Sequence, residues 1–228
     1  MKKKTIVLLV GHNSSAKGAR NSHLGISEYD YNLDLSLGVE NEIKSHIGSN
    51  LVDVVRIFGN ISNTSKHNLV NKIHSESGVP LVVDMHLNAG SPTADYSLVK
   101  YARISPRGFE AAKCFINNIT KGYAFGKTEP SISFQPARWA DMIVPGCMPT
   151  DRRPPKSHRG EDYKRNEWKY RGSEFLYNTI PPAILIEPFF ISNNHTMSKM
   201  ITGESMDRLA MIIADSIIVY MFSVGDLK

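Results

Sequence analysis

The first clear pattern in the chain is an apolar, β-branched run, Thr5-Ile6-Val7-Leu8-Leu9-Val10. A continuous run of this length suits a strand buried on both faces. A polar, glycine-containing loop from Gly11 to Gly25 follows. Ser27 with Asp30 three residues on is a capping-box pattern, which sets Glu28 in the first turn of a helix. Tyr29, Tyr31, Leu33, Leu35, Leu37 and Val39 also alternate with strand period. The segment's length, the cap and the Leu33/Leu37 and Val39/Ile43 spacings favour a helix, to about Ile47. Further strands are predicted at Leu51 to Phe58, at Leu81 to Met85 behind Gly78 and Pro80, and at Ala183 to Ile186 behind Pro181 and Pro182. Helices are predicted at Asn63 to Ser75, at Pro106 to Thr120 with proline near the start, and over 204–222.

Strands alternating with helices predict an α/β fold: a mostly parallel twisted sheet flanked by helices. One domain is expected over residues 1–228. From about Gly126 to Gly172 the periodicity fades into Pro, Arg, Lys, Trp and Tyr. That stretch is predicted as a long irregular, basic-aromatic insertion before the last strand, of the kind that serves function more often than connection.

With 228 residues, the chain can bury a core without disulfides or a structural metal, so a bound metal would serve chemistry. Cys114 and Cys147 are too few for a disulfide framework or a cysteine zinc site; they read as unpaired thiols suited to a reducing cytoplasm. Lys2-Lys3-Lys4 before a six-residue apolar run is too short a pattern for an export signal, and the expectation is synthesis in the cytoplasm. The longest apolar stretch, Leu209 to Phe222, is interrupted by Asp215 and Ser216, so no integral membrane segment is expected. Net charge is +5. Outside Arg152 to Arg171 no basic stripe is interleaved with aromatics, and nucleic acid is not expected as a partner.

Four polar residues stand where parallel α/β sheets gather their ligands, at the carboxyl ends of strands. His12 lies two residues beyond the first strand, His86 closes the third, and Glu187 closes the fourth. Glu28 begins the helix across the first loop. Two histidines and one glutamate form a known shell for catalytic zinc, and a further carboxylate can shuttle protons. Taken singly, three of them have ordinary readings. His12 could cap a helix, Glu28 could be a favourable first-turn carboxylate, and His86 could be a satisfied strand-end histidine. Glu187 is harder to dismiss, because a carboxylate between an apolar strand and Pro188-Phe189-Phe190 must be paired, ligated or catalytic.

The order of short blocks Val10-Gly11-His12, Glu28, Asp84-Met85-His86-Leu87-Asn88-Ala89-Gly90 and Pro182-Ala183-Ile184-Leu185-Ile186-Glu187-Pro188-Phe189-Phe190-Ile191-Ser192-Asn193 resembles the zinc-dependent N-acetylmuramoyl-L-alanine amidases of the third type. These are found in bacterial division amidases and phage endolysins. The resemblance runs from about Thr5 to Tyr220. It implies one zinc ion held by His12, Glu28 and His86, with Glu187 catalytic. It implies as reaction the cleavage of the amide between the lactyl group of N-acetylmuramic acid and L-alanine in peptidoglycan. Asn88, Arg159 and Trp168 are expected substrate contacts, and His158, His23 and His195 are lesser alternatives as ligands. The sequence departs from the family at Asp84-Met85, where Ser-Ile is usual, and in the length of the insertion.

Two rivals share the same residues: another zinc amide hydrolase, of the N-formylglutamate deacylase or carboxypeptidase kind, and a non-catalytic wall-glycan-binding module. The missing export signal and wall-binding domain suggest a phage-type endolysin, acting as a monomer on the cell wall after release through a permeabilised membrane.

Overall fold

Both faces of β1 (Lys4–Val10) are covered, as its unbroken apolar run requires. Ile6 and Leu8 enter one apolar cluster, and Val7 and Leu9 enter another. The structure, a computed structural model, describes residues 3–48, 51–102, 105–124, 135–136, 147–149 and 174–227.

Beside β1 lie β4 (Val52–Ile57) and β5 (Val82–Met85), both parallel to it. β9 (Ala183–Glu187) pairs in parallel with β5, and β6 (Tyr96–Tyr101) pairs antiparallel with β9. The order is β4-β1-β5-β9-β6, extended by β7 (Gln135–Pro136), while β8 (Cys147–Pro149) also pairs with β6. A small hairpin, β2 (Arg20–Asn21) and β3 (Ile26–Ser27), stands apart.

One face of the sheet is covered by α1 (Glu28–Ile47), α3 (Pro106–Ala124) and α6 (Gly203–Ser223), whose apolar sides meet Ile6, Leu8, Val83, Met85, Ile184 and Ile186. The other face is covered by α2 (Asn63–Ser77) and α4 (Glu174–Asn178) through Val70, Phe175 and Leu176. α5 (Asn194–Met200) leads into α6.

In α1 the helical reading prevails, because its buried positions Tyr31, Leu35, Val39 and Ile43 repeat at helical spacing. Leu37, which the strand pattern would also bury, is 47% exposed. The cap differs in detail from the expected box. Ser27 Oγ accepts from the Asp30 amide at 3.2 Å, but the Asp30 carboxylate takes the Ser27 hydroxyl at 2.7 Å. It does not reach back to the Ser27 amide. Aspartate is one methylene shorter than the glutamate of the usual box, and Lys17 also engages it at 2.7 Å.

Each of the four predicted strands and four predicted helices is present, with ends shifted by a few residues. The sequence did not disclose β6, the β2–β3 hairpin, α4 or α5. Two short strands, β7 and β8, fall inside the segment expected to be wholly irregular, because the exposed edge of β6 offers backbone partners there. The remainder of that insertion, with Arg159, Trp168 and His158, lies outside the described residues.

Candidate active site and metal centre

Backbone register sets the site. Val10 of β1 pairs with Met85 of β5, and Met85 pairs with Ile186 of β9. The chain leaves the three strands side by side. The Gly11 amide donates to Met85 O at 2.8 Å, and the His86 amide donates to Ile186 O at 2.9 Å. His12, His86 and Glu187 therefore emerge within one or two residues of the same row, on strands about 4.8 Å apart. Glu28 enters from the first turn of α1, fixed by its own amide to Ala19 O at 2.8 Å.

Glu28 is 3% exposed and lies between the two imidazoles. Its Oε2 is 3.0 Å from His12 Nε2, and its Oε1 is 2.8 Å from His86 Nδ1. The Ala19 and Leu87 amides donate to Oε2 and Oε1 at 3.2 and 3.0 Å. One ligand atom from each of His12, Glu28 and His86 lies within 4.8 Å of the others. His86 turns its remaining nitrogen, Nε2, to Asp84 Oδ2 at 3.4 Å. A carboxylate behind a metal-binding imidazole is a recurrent way to fix its tautomer and direction.

Burial alone would raise the Glu28 carboxyl, but the His12 and His86 imidazoles outweigh it and hold the group well below the usual carboxylate range. For His86, burial would lower the pKa; the Asp84 and Glu28 carboxylates win and push it up to about 10. Two buried carboxylates around two imidazoles call for positive charge in their midst, supplied by a proton or by a divalent cation.

Two glycines keep room for this cluster. A Cβ on Gly11 would lie 2.7 Å from His86 Nδ1, and one on Gly18 would lie 2.7 Å from Glu28 Oε2 and strike the His12 ring. His12 itself holds a positive φ of 63°, a conformation costly for a side chain with a Cβ. Lys66 on α2, 2% exposed, braces the turn by donating to Val10 O at 2.7 Å and to His12 O. Burial lowers the Lys66 pKa, and the nearby Asp84 charge opposes that. The sequence marked Asp84 only as a departure from the family pattern, and it assigned no role to Asp84, Lys66 or Gly18. Lys66 meets Val10 from 56 residues away, and only folding brings the two together.

Glu187 is 8% exposed. Its Oε1 accepts from Lys100 Nζ of β6 at 2.7 Å. Asn88 is stitched to the segment after β9: its amide donates to Phe189 O at 2.9 Å and its carbonyl accepts from the Ile191 amide at 2.8 Å. Its side-chain oxygen accepts from the Ala89 amide at 2.9 Å. His23 and His195 do not join the metal-type cluster among the described residues.

The sequence profile of the N-acetylmuramoyl-L-alanine amidases matches residues 6–219. The chain belongs to this amidase family. No curated protein sequence matches it. Its fold is shared by an N-acetylmuramoyl-L-alanine amidase from Clostridium difficile 630, at TM-score 0.68 and 19% identity over 98% of this chain and 99% of the other. Ami1 from Mycobacterium smegmatis is similar at TM-score 0.65 and 16% identity, covering 96% and 97% of the two chains. The catalytic domain of the CD27L endolysin, which targets Clostridium difficile, is similar at TM-score 0.59 and 19% identity, over 95% and 97%. The amidase is thus a hydrolase of peptidoglycan, and its membership sets aside the formylglutamate-type and purely binding alternatives. Among the described residues, no helix of the amidase is long and apolar enough to cross a membrane.

Proposed function

We propose that this amidase is a zinc enzyme, with His12, Glu28 and His86 holding one ion and Glu187 exchanging the proton of the reaction. The observation that carries this reading is the convergence of three ligand atoms within 4.8 Å, beside a buried glutamate one strand away. The donor set fits zinc: two imidazoles and one carboxylate make the shell that leaves a catalytic ion its fourth position. When bound, the ion supplies Lewis acidity toward a carbonyl oxygen and eases deprotonation of water.

The chain's own residues do the rest. Asp84 meets His86 Nε2 from behind, so that Nδ1 faces Glu28 and the ligand space. Glu187 takes the proton of the water that attacks the lactyl carbonyl, then passes it to the alanine nitrogen as the amide bond breaks. Asn88 is proposed to line the substrate path beside His86. Arg159 and Trp168 enter as substrate contacts on their chemistry alone, as a partner for stem-peptide carboxylates and a face for sugars. One chain supplies all four central groups, so a monomer and a single domain over 1–228 suffice.

Digestion of purified peptidoglycan, followed by mass analysis, tests the reading. Fragments with new L-alanine amino termini are expected with zinc present and not after chelation. Release of the same fragments at full rate in chelator would remove zinc from the account. Asp84→Asn is expected to weaken zinc affinity about 10- to 100-fold, read by competition with a chromophoric chelator. Unchanged affinity would show that His86 is oriented without Asp84.

The narrower proposal is a phage-type endolysin. It draws on the fold shared with the CD27L catalytic domain and on the net charge of +5, which suits anionic wall polymers. Purified protein added from outside to whole cells and to isolated walls tests it, by the fall in turbidity.

A further inference from the structure

Lys100 lies outside the chemistry described so far. On β6 it stands opposite Leu185, while Glu187 stands opposite Leu98. This diagonal sends the lysine stem along the strand toward the carboxyl edge of the sheet. Its Nζ ends 2.7 Å from Glu187 Oε1, with the two side chains only 20% and 11% exposed. A pair so far removed from water is weak evidence for a stabilising role, because desolvation offsets the attraction. The other oxygen, Glu187 Oε2, is buried without a hydrogen-bond partner among the described residues. Native proteins leave few such atoms, and each one requires an explanation.

Resting on the proton-transfer reading of Glu187, we propose that Lys100 is a positioning residue that claims Oε1 and leaves Oε2 as the one oxygen that exchanges the proton. The last torsion of a glutamate is broad, so an unclamped carboxylate presents either oxygen at a range of angles. An ammonium is a point donor, and that of Lys100 meets a single oxygen of Glu187. A guanidinium is a planar fork that engages both. Lysine at this position therefore anchors the base and keeps half of it free, which arginine would not do.

The test uses the whole zinc-loaded chain acting on a purified muramyl peptide. Lys100→Ala is expected to lower kcat about 10- to 100-fold, the scale of a misplaced catalytic group, with KM within about twofold. Propylammonium, the fragment that this substitution removes, is expected to restore much of the lost rate. Lys100→Arg is expected to keep the fold and the low rate. In the Glu187→Gln background, Lys100→Ala is expected to add no further loss, because the lysine acts only through the glutamate. Lys100→Met fills the vacated space and serves if the alanine variant does not fold. Wild-type kcat in Lys100→Ala and Lys100→Met, full recovery by arginine, or an equal further loss in the Glu187→Gln background would each overturn the proposal. Full activity of Glu187→Gln alone would instead overturn the role of Glu187 on which it rests.

Discussion

Glu187→Gln is expected to cut kcat about 100- to 10,000-fold, the usual contribution of a positioned acid–base group. It should leave zinc content and KM near wild type. The amide is nearly isosteric with the carboxylate and can still meet the Lys100 ammonium through its oxygen. What it loses is the capacity to take a proton at the position where Oε2 lies buried without a partner among the described residues. Unfolding temperature should hold or fall slightly, since the Lys100 ammonium keeps a hydrogen-bond acceptor but loses its counter-charge. A variant that turns over at the wild-type rate would show that the proton goes elsewhere. A variant that is inactive but also metal-free would show that Glu187 serves as a ligand instead.

Removal of the metal should have an effect of similar size on rate and a second effect on stability. His86→Ala takes away one of the three proposed ligands, and the purified protein is expected to carry little zinc by metal analysis. An ion that binds the folded chain and not the unfolded one stabilises by about 4 kcal/mol when its free concentration is a thousand times its dissociation constant. In a domain of this size that corresponds to a rise in Tm of about 8–16 °C. Wild type should show this rise on adding zinc and lose it with a chelator. His86→Ala should show neither. An equal rise in His86→Ala would place the stabilising ion at another site.

The carboxylate behind His86 is Asp84, which the structure turns to His86 Nε2 at 3.4 Å. Its Oδ1 is buried and without a partner among the described residues. A charged carboxylate so close to a proposed ligand is tolerable where the centre it faces is cationic.

Much of the fold was legible in the sequence because burial writes itself into local pattern. β1 and β9 are buried on both faces, so their residues form unbroken apolar runs, and α1 repeats its buried positions at helical spacing. Three of the four candidate site residues were legible for a related reason. His12, His86 and Glu187 sit at strand ends, and a polar residue directly after an apolar run is conspicuous. Only the tertiary structure decided the rest. β6 carries Lys100 in its midst, which breaks the apolar pattern, and that lysine is satisfied by a glutamate 87 positions away. Lys66 and Gly18 support His12 through contacts that no local periodicity records. Hydrophobic periodicity reports which face of an element is dry. The pairing of buried charges depends on how elements are placed against one another, and that information resides in the packed molecule.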